Sequence, residues 1–293
     1  MKKHRFHISR EIRQHMDTFD LFSEPEAGAA DAVEDTKQGL QEERCMEAAT
    51  GNRTQGAGME AISRTHIGCI RKTNQDAILE APPLWGVADG MGGHRGGETA
   101  SAMCRDGLIR LLRDRDTDIE SLINAVRIVN RRIHVESEDN KELAGMGTTL
   151  TCVWVGEDTI NIAHVGDSRL YLLREGVLRQ VTDDHSMVME MVRAGILTRE
   201  QANNHPMRNV ITRAVGTERE VEVDGLCEAR KPGDVWLLCS DGLYGQVSEE
   251  RIREQMMQDS LEEASDTLIR LALEAGGPDN ISLVLLRDVE GLA

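Results

Sequence analysis

Four aspartates stand at or beside the ends of apolar runs, each followed by a small or polar residue. They are Asp89 in Trp-Gly-Val-Ala-Asp-Gly, Asp167 in Ile-Ala-His-Val-Gly-Asp-Ser, Asp241 in Trp-Leu-Leu-Cys-Ser-Asp-Gly and Asp279 in Gly-Gly-Pro-Asp-Asn, just ahead of Ile-Ser-Leu-Val-Leu-Leu. The runs read as buried strands. A carboxylate at the tip of a buried strand is costly unless a cation meets it. Four such tips brought together repel one another. Hard divalent cations such as Mg²⁺ or Mn²⁺, which prefer oxygen ligands, resolve that repulsion. The expected chemistry is that of a metal-dependent enzyme.

Two neighbouring strings narrow it. Asp89 and Gly90 open Asp-Gly-Met-Gly-Gly-His-Arg-Gly-Gly-Glu. Glycines there let the backbone approach a ligand closely. No Gly-Lys-Ser/Thr follows, so this is not a nucleotide-binding P-loop. Upstream, Arg71-Lys-Thr-Asn-Gln-Asp76 supplies a rigid guanidinium fork suited to phosphate, and a further acid. Taken singly, each string is weak evidence, since most such strings are structural or solvated turns. A rival chemistry also has to be weighed, because Cys104 and Arg110 have the spacing of a cysteine-dependent phosphatase loop. Such a loop must precede a helix so that its amides cradle phosphate. Cys104 instead falls inside a helical pattern, on one face with Ala100, Leu108 and Leu111, and reads as a core residue.

The elements that must position these groups follow from periodicity. Strands are expected at 84–88, 149–155, 159–165, 169–173, 234–240 and 281–287. Gly156-Glu-Asp158 joins the second and third as a hairpin. Apolar positions at helical spacing predict helices at 98–113, 118–135, 248–255 and 261–274, the second capped by Thr117. Strands clustered in the middle with helices in pairs point to an α+β layered domain rather than a βαβ repeat.

Residues 1–58 read as an N-terminal extension, and 59–290 as the catalytic domain. From Ser23 to Gly58 the chain is rich in Glu, Ala, Gly, Asp and Gln and reads as a flexible acidic linker. Before it, Phe6, Ile8, Ile12, Met16, Phe19 and Phe22 recur at roughly helical spacing, and these include every Phe of the protein. This short segment reads either as a helix packing loosely on its own domain or as a docking helix for a partner groove.

Composition excludes some classes. The net charge of −17 argues against a nucleic-acid or anionic-membrane partner. No apolar stretch approaches the ~20 residues of a membrane span. The six cysteines are scattered without a Cys-x-x-Cys pair and read as thiols in a reducing cytoplasm.

Seven strings occur in order: Arg-x-x-Asn-Gln-Asp (71–76), Ala-Asp-Gly-Met-Gly-Gly-His (88–94), Met-Gly-Thr-Thr-Leu (146–150), His-Val-Gly-Asp-Ser-Arg (164–169), Thr-Asp-Asp-His-Ser (182–186), Ser-Asp-Gly-Leu (240–243) and Pro-Asp-Asn-Ile (278–281). Together they resemble the bacterial branch of the metal-dependent type 2C protein serine/threonine phosphatases, the PPM family, over about residues 60–288. The resemblance implies a four-layer αββα sandwich of two antiparallel sheets flanked by helices. It implies a site with two Mn²⁺ or Mg²⁺ ions and a third, weaker one. By motif match, Asp89 bridges two metals and the Gly90 carbonyl binds one. Asp241 and Asp279 complete the first, Asp76 holds a metal-bound water, and Asp167 binds the third ion. Arg71 takes the substrate phosphate, His94 is the candidate general acid, and Asn280 orients Asp279 or a metal water. The segment from Asp184 through His185 to Gly216 matches the mobile flap that tunes substrate access. For His185 and His205, flap or structural roles are expected, because hard cations favour oxygen, and His164 reads as a packed strand residue.

The implied reaction is hydrolysis of phosphoserine or phosphothreonine on proteins by an activated water, opposing a Ser/Thr kinase, in a cytoplasmic monomer with no nucleic-acid or membrane partner. Two other readings share the motifs. One is a pseudophosphatase that sequesters phosphoproteins. The other is a switch controlled through the N-terminal segment, linked to an operon-encoded kinase or a secretion system.

Overall fold

The first apolar run after the acidic stretch begins a sheet, and the strong runs that follow build two. A computed structural model describes residues 45, 47–92, 96–203 and 205–289. The chain runs through β1 (Arg53–Gly56), β2 (Met59–His66), β3 (Asp76–Ala81) and β4 (Leu84–Met91) into two long helices, α1 (Gly96–Leu112) and α2 (Ile119–Asp139). There follow β5 (Gly147–Thr148), β6 (Leu150–Val155), β7 (Thr159–Val165), β8 (Arg169–Arg174) and β9 (Val177–Gln180). Two short helices, α3 (Met187–Arg193) and α4 (Arg199–Asn203), precede β10 (Asp224–Ala229) and β11 (Val235–Cys239). The chain closes with α5 (Asp241–Tyr244), α6 (Glu249–Met256), α7 (Leu261–Glu274) and β12 (Ile281–Asp288).

The strands pair antiparallel in two sheets, ordered β1-β2-β12-β11-β8-β9 and β10-β7-β6-β4-β3, with β5 on β4. Alternation decides the layers. One face of each sheet meets the other through Met59, Trp85, Val153, Ile162, Leu172, Trp236 and Leu286. The opposite face of the second sheet packs on α1 and α2 through Leu79, Ala88, Cys104, Leu108, Val126 and Ile133. The opposite face of the first sheet packs on α5, α6 and α7 through Leu237, Leu285, Leu243, Ile252 and Leu268. Three apolar interfaces make four layers, the αββα sandwich expected from the motifs. Each large side chain fully buried there stabilises the fold by about 1.5–3 kcal/mol.

Several expectations shift. β1 lies inside the stretch read as a linker, and Thr50 already bridges Thr65, so the folded domain begins before residue 58. Pairing with β2 overrides the polar composition of Arg53–Gly56. Asp118, not Thr117, caps α2, its carboxylate accepting from the Ser121 amide at 2.8 Å. Thr117 is buried instead. Cys45 and Cys69 form a disulfide, with Cα atoms 4.7 Å apart, against the expectation of six thiols. The other four are free, and Cys104, Cys152 and Cys239 are buried. Cys104 sits within α1, and burial raises its thiol pKa, as expected of a core residue. The Phe-containing segment at 6–22 lies outside the described residues.

Candidate metal and phosphate site

Antiparallel pairing brings the acidic strand ends to one edge of the sandwich. Asp76 at the start of β3 is directly opposite Asp89 near the end of β4. Asp241 follows β11 and Asp279 precedes β12, and those two strands pair. Asp167 follows β7. Five of the acids expected from sequence are therefore gathered from both sheets. His94 lies outside the described residues.

Their mutual influence appears in their acidity. Asp76 is raised to about 7, chiefly by burial of its carboxyl, with Asp241 and Asp279 adding repulsion and hydroxyls of Ser282 and Ser240 opposing it. Asp89 is raised well above the usual range by burial and then by Asp76, Asp241, Asp167 and Asp279. Asp241 is raised to about 6 by burial and Asp279, with partial relief from a hydrogen bond to Asp89 and from Arg71. Asp167 is raised to about 7, again by burial first and then by Asp241 and Asp184.

The residues around these acids explain why the motifs extend beyond them. Asp89 is held through its backbone. Its N–H donates to Thr149 Oγ1 at 3.0 Å, and its carbonyl accepts from the Thr149 amide and the Thr148 hydroxyl. Gly90 has no room for a side chain, since a Cβ there would lie 2.1 Å from the Gly97 carbonyl oxygen. Ser240 donates to Asp76 Oδ2 at 2.9 Å. These contacts aim carboxylates without consuming both oxygens, and the Oδ1 atoms of Asp76 and Asp241 are shut off from solvent with no hydrogen-bond partner.

Arg71 is half exposed, and its Nη2 donates to Asp279 Oδ2 at 2.7 Å. Burial opposes its charge, and Asp279, Asp89 and Asp241 outweigh that effect, so it stays protonated. The Asn280 side chain performs a different task from the one expected. It accepts from the Gln75 amide and donates to the carbonyls of Ile67 and Thr73, fixing the loop that carries Arg71. Asp279 receives the Asn280 backbone N–H instead.

The flap segment leaves and rejoins the sandwich at a zipped root. Met187 N–H donates to the Val210 carbonyl, Thr212 N–H to that of His185, and Ser186 bridges Ile211. Asp184 accepts a two-pronged bond from Arg169, whose guanidinium lies 3.8 Å over the Tyr244 ring in α5. At the far end the Gly216 amide donates to Asn130 of α2. His185 and His164 are buried, their ring centroids 4.7 Å apart. His164 bonds Thr151 and the Asp183 carbonyl, a packed strand residue as expected. Burial lowers the pKa of both imidazoles, His164 to about 4. His205 Nδ1 accepts from the Met207 amide within the flap. Sequence reasoning missed Thr148, Thr149, Ser240 and Arg169 as site builders, although all four lie inside the quoted strings.

Among the described residues, no group of three His, Cys, Asp or Glu side chains is closed into a ready ligand set. Asp279 is turned to Arg71 and Asp76 to Ser240. The donor set nonetheless fits a hard divalent cation, being all oxygen, anionic and supplied with two orphaned carboxylate oxygens.

The sequence model of the protein phosphatase 2C family matches residues 71–275. The serine/threonine phosphatase stp of Listeria monocytogenes is 41% identical over 244 residues, 78% of this chain and 95% of that protein. The crystal structure of the Mycobacterium tuberculosis serine/threonine phosphatase PstP/Ppp superposes with a TM-score of 0.76 at 38% identity, covering 79% of this chain and 99% of that one. The PstP catalytic domain in complex with two manganese ions superposes with a TM-score of 0.73 at 38% identity, covering 79% and 99%.

Proposed function

The chain belongs to the protein phosphatase 2C family, metal-dependent serine/threonine protein phosphatases, and on that premise we propose how its own residues divide the work. Asp89, the Gly90 carbonyl, Asp241 and Asp279 would hold two Mn²⁺ or Mg²⁺ ions, with Asp76 beside them and Asp167 holding a third, weaker one. Bound there, such ions lower the pKa of a water and polarise a phosphoryl group. The observation that carries the assignment is the pair of orphaned, solvent-excluded oxygens on Asp76 and Asp241 inside a ring of mutually repelling carboxylates.

Arg71 swings from Asp279 to the substrate phosphate and neutralises its equatorial oxygens. The Asn280 clamp holds the Arg71 loop in reach. Asp76, kept from free rotation by Ser240, orients the attacking water, and His94 returns a proton to the leaving serine or threonine oxygen. No side chain forms a covalent phosphoenzyme, which agrees with Cys104 being enclosed in α1.

The substrates are phosphoproteins, and a Ser/Thr kinase acting on the same proteins supplies the phosphoryl group. We place the enzyme in the cytoplasm. No helix among the described residues is long and apolar enough to cross a membrane. In a reducing cytoplasm the Cys45–Cys69 bridge would be open for much of the time. The test is hydrolysis of a phosphothreonine peptide in Mn²⁺, with a phosphotyrosine peptide and EDTA as controls. Release of phosphate from the first alone, abolished by EDTA, is the expected result. Equal turnover of both peptides in EDTA would overturn the reading.

A further inference from the structure

His185 stands at the root of the flap and grips the residue before Asp167 from two sides. Its Nδ1 accepts the Gly166 amide at 2.9 Å, and its own amide donates to the Gly166 carbonyl at 2.8 Å. Gly166 has a φ of +106°, and a Cβ there would meet the Thr149 side chain at 2.7 Å. The turn that launches Asp167 is therefore fixed between Thr149, which also holds Asp89, and His185. The accepting role of Nδ1 places the ring proton on Nε2, which faces Asp224 Oδ2 at 3.1 Å. Arg213 Nη1, itself 3.1 Å from Nε2, donates to Asp224 at 2.7 Å, and the His185 carbonyl receives the Thr212 amide. Through its ring and its backbone together, His185 thus joins the flap root, β10 and the Gly166–Asp167 turn.

We infer that His185 is a positioning residue that couples the flap to the aim of the Asp167 carboxylate. The coupling is mechanical. Thr149 packs against one side of Gly166, and His185 bonds the other, its amide to the Gly166 carbonyl and its ring to the Gly166 N–H, so the direction of Asp167 follows the position of the imidazole. Displacement of the flap root moves the imidazole and releases the Gly166 amide. The inference rests on the reading of Asp167 as a carboxylate of the metal site.

The two amide variants separate the two ring nitrogens. His185→Asn keeps an acceptor near the Nδ1 position and loses the reach to Asp224. His185→Gln places its polar end near the Nε2 position and loses the bond from Gly166. Hydrogen exchange at the Gly166 amide, measured in EDTA by NMR, reads positioning directly. The Mn²⁺ concentration for half-maximal hydrolysis of a small phosphoester, with Asp167→Asn as reference, reads its consequence. His185→Gln should speed exchange at Gly166 about two- to tenfold, the scale of one lost hydrogen bond. It should raise the Mn²⁺ requirement toward that of Asp167→Asn, while His185→Asn stays near wild type in both. The opposite ranking, with Gln benign and Asn harmful, would show that the ring acts only through Asp224 and would overturn the inference. Unchanged exchange in both variants would overturn it too. If Asp167→Asn itself leaves the Mn²⁺ requirement unaltered, the metal reading of Asp167 fails and the exchange result alone decides the positioning claim.

Discussion

Replacing Arg71 by Ala removes the cation that sits 2.7 Å from Asp279 Oδ2. The Arg71 side chain is 50% exposed, so that ion pair contributes only about 0–1 kcal/mol to stability and the fold should survive. The contact with phosphate is worth more, because a hydrogen bond to a charged group contributes roughly 1.5–3 kcal/mol. Half exposure places Arg71 toward the lower end of that range, so kcat/KM should fall about ten- to thirtyfold, mostly through KM. Arg71→Lys keeps the charge without the planar fork and should recover only part of the loss. The substitution has a second consequence. Arg71 is one of the groups that hold down the Asp241 pKa in the metal-free protein, so competition of protons with Mn²⁺ for the site should extend to higher pH in the variant. The assay is initial-rate hydrolysis of a phosphothreonine peptide over a range of substrate concentrations, at fixed saturating Mn²⁺, with melting curves for each variant. An unchanged kcat/KM in a folded Arg71→Ala protein would refute the clamp assignment.

The raised carboxylates make the metal-free protein sensitive to pH in a defined direction. Asp76 and Asp167 near 7 and Asp241 near 6 bind protons more tightly folded than unfolded, so their favourable contribution is full below the unfolded carboxylate pKa and is lost as pH climbs from about 4 through about 7. In EDTA, the Tm of wild type relative to Asp76→Asn should decline across that window, and a constant difference would contradict the pKa assignments. Chelation should abolish activity and iodoacetamide should not, since the Cys104 thiol is enclosed, Cys152 and Cys239 are each pushed up to about 12 by burial, and the exposed Cys227 lies on the edge strand β10 and is none of the site residues. Alkylation that inactivates and is blocked by substrate would restore the cysteine mechanism. Deleting residues 1–44, which leaves β1 and Cys45 intact, should keep peptide hydrolysis within about twofold, roughly 0.4 kcal/mol, and weaken recognition of a protein substrate. Loss of activity on the short peptide would place that segment in the catalytic domain.

What could be read in advance follows from where the physics is local. β4, β6, β7, β8, β11 and β12 are apolar runs whose burial is written in their composition. β2 and β3 mix Glu, Arg, Thr and Asp with apolar residues and become strands through pairing with β12 and β4. β10 is a largely exposed edge that only register with β7 defines. α5 is a single turn, too short for any periodic signal. The acids of the site were legible because each stands at or beside the end of an apolar run. Most of their supports were not, because Thr148, Thr149 and Ser240 act on backbone or side chains up to 164 residues away, and no spacing rule encodes such contacts. The Cys45–Cys69 pairing, 24 residues apart and without a motif, was hidden for the same reason.

The central claim, that the acidic edge of the sandwich is a divalent metal site, is met most directly by titrating Mn²⁺ into metal-free wild type and Asp241→Asn by calorimetry in two buffers of different ionisation enthalpy. The account predicts binding to wild type with release of protons from the raised carboxylates, and a markedly weaker isotherm for the variant. Equal affinity and stoichiometry in the two proteins, with no proton release, would contradict it.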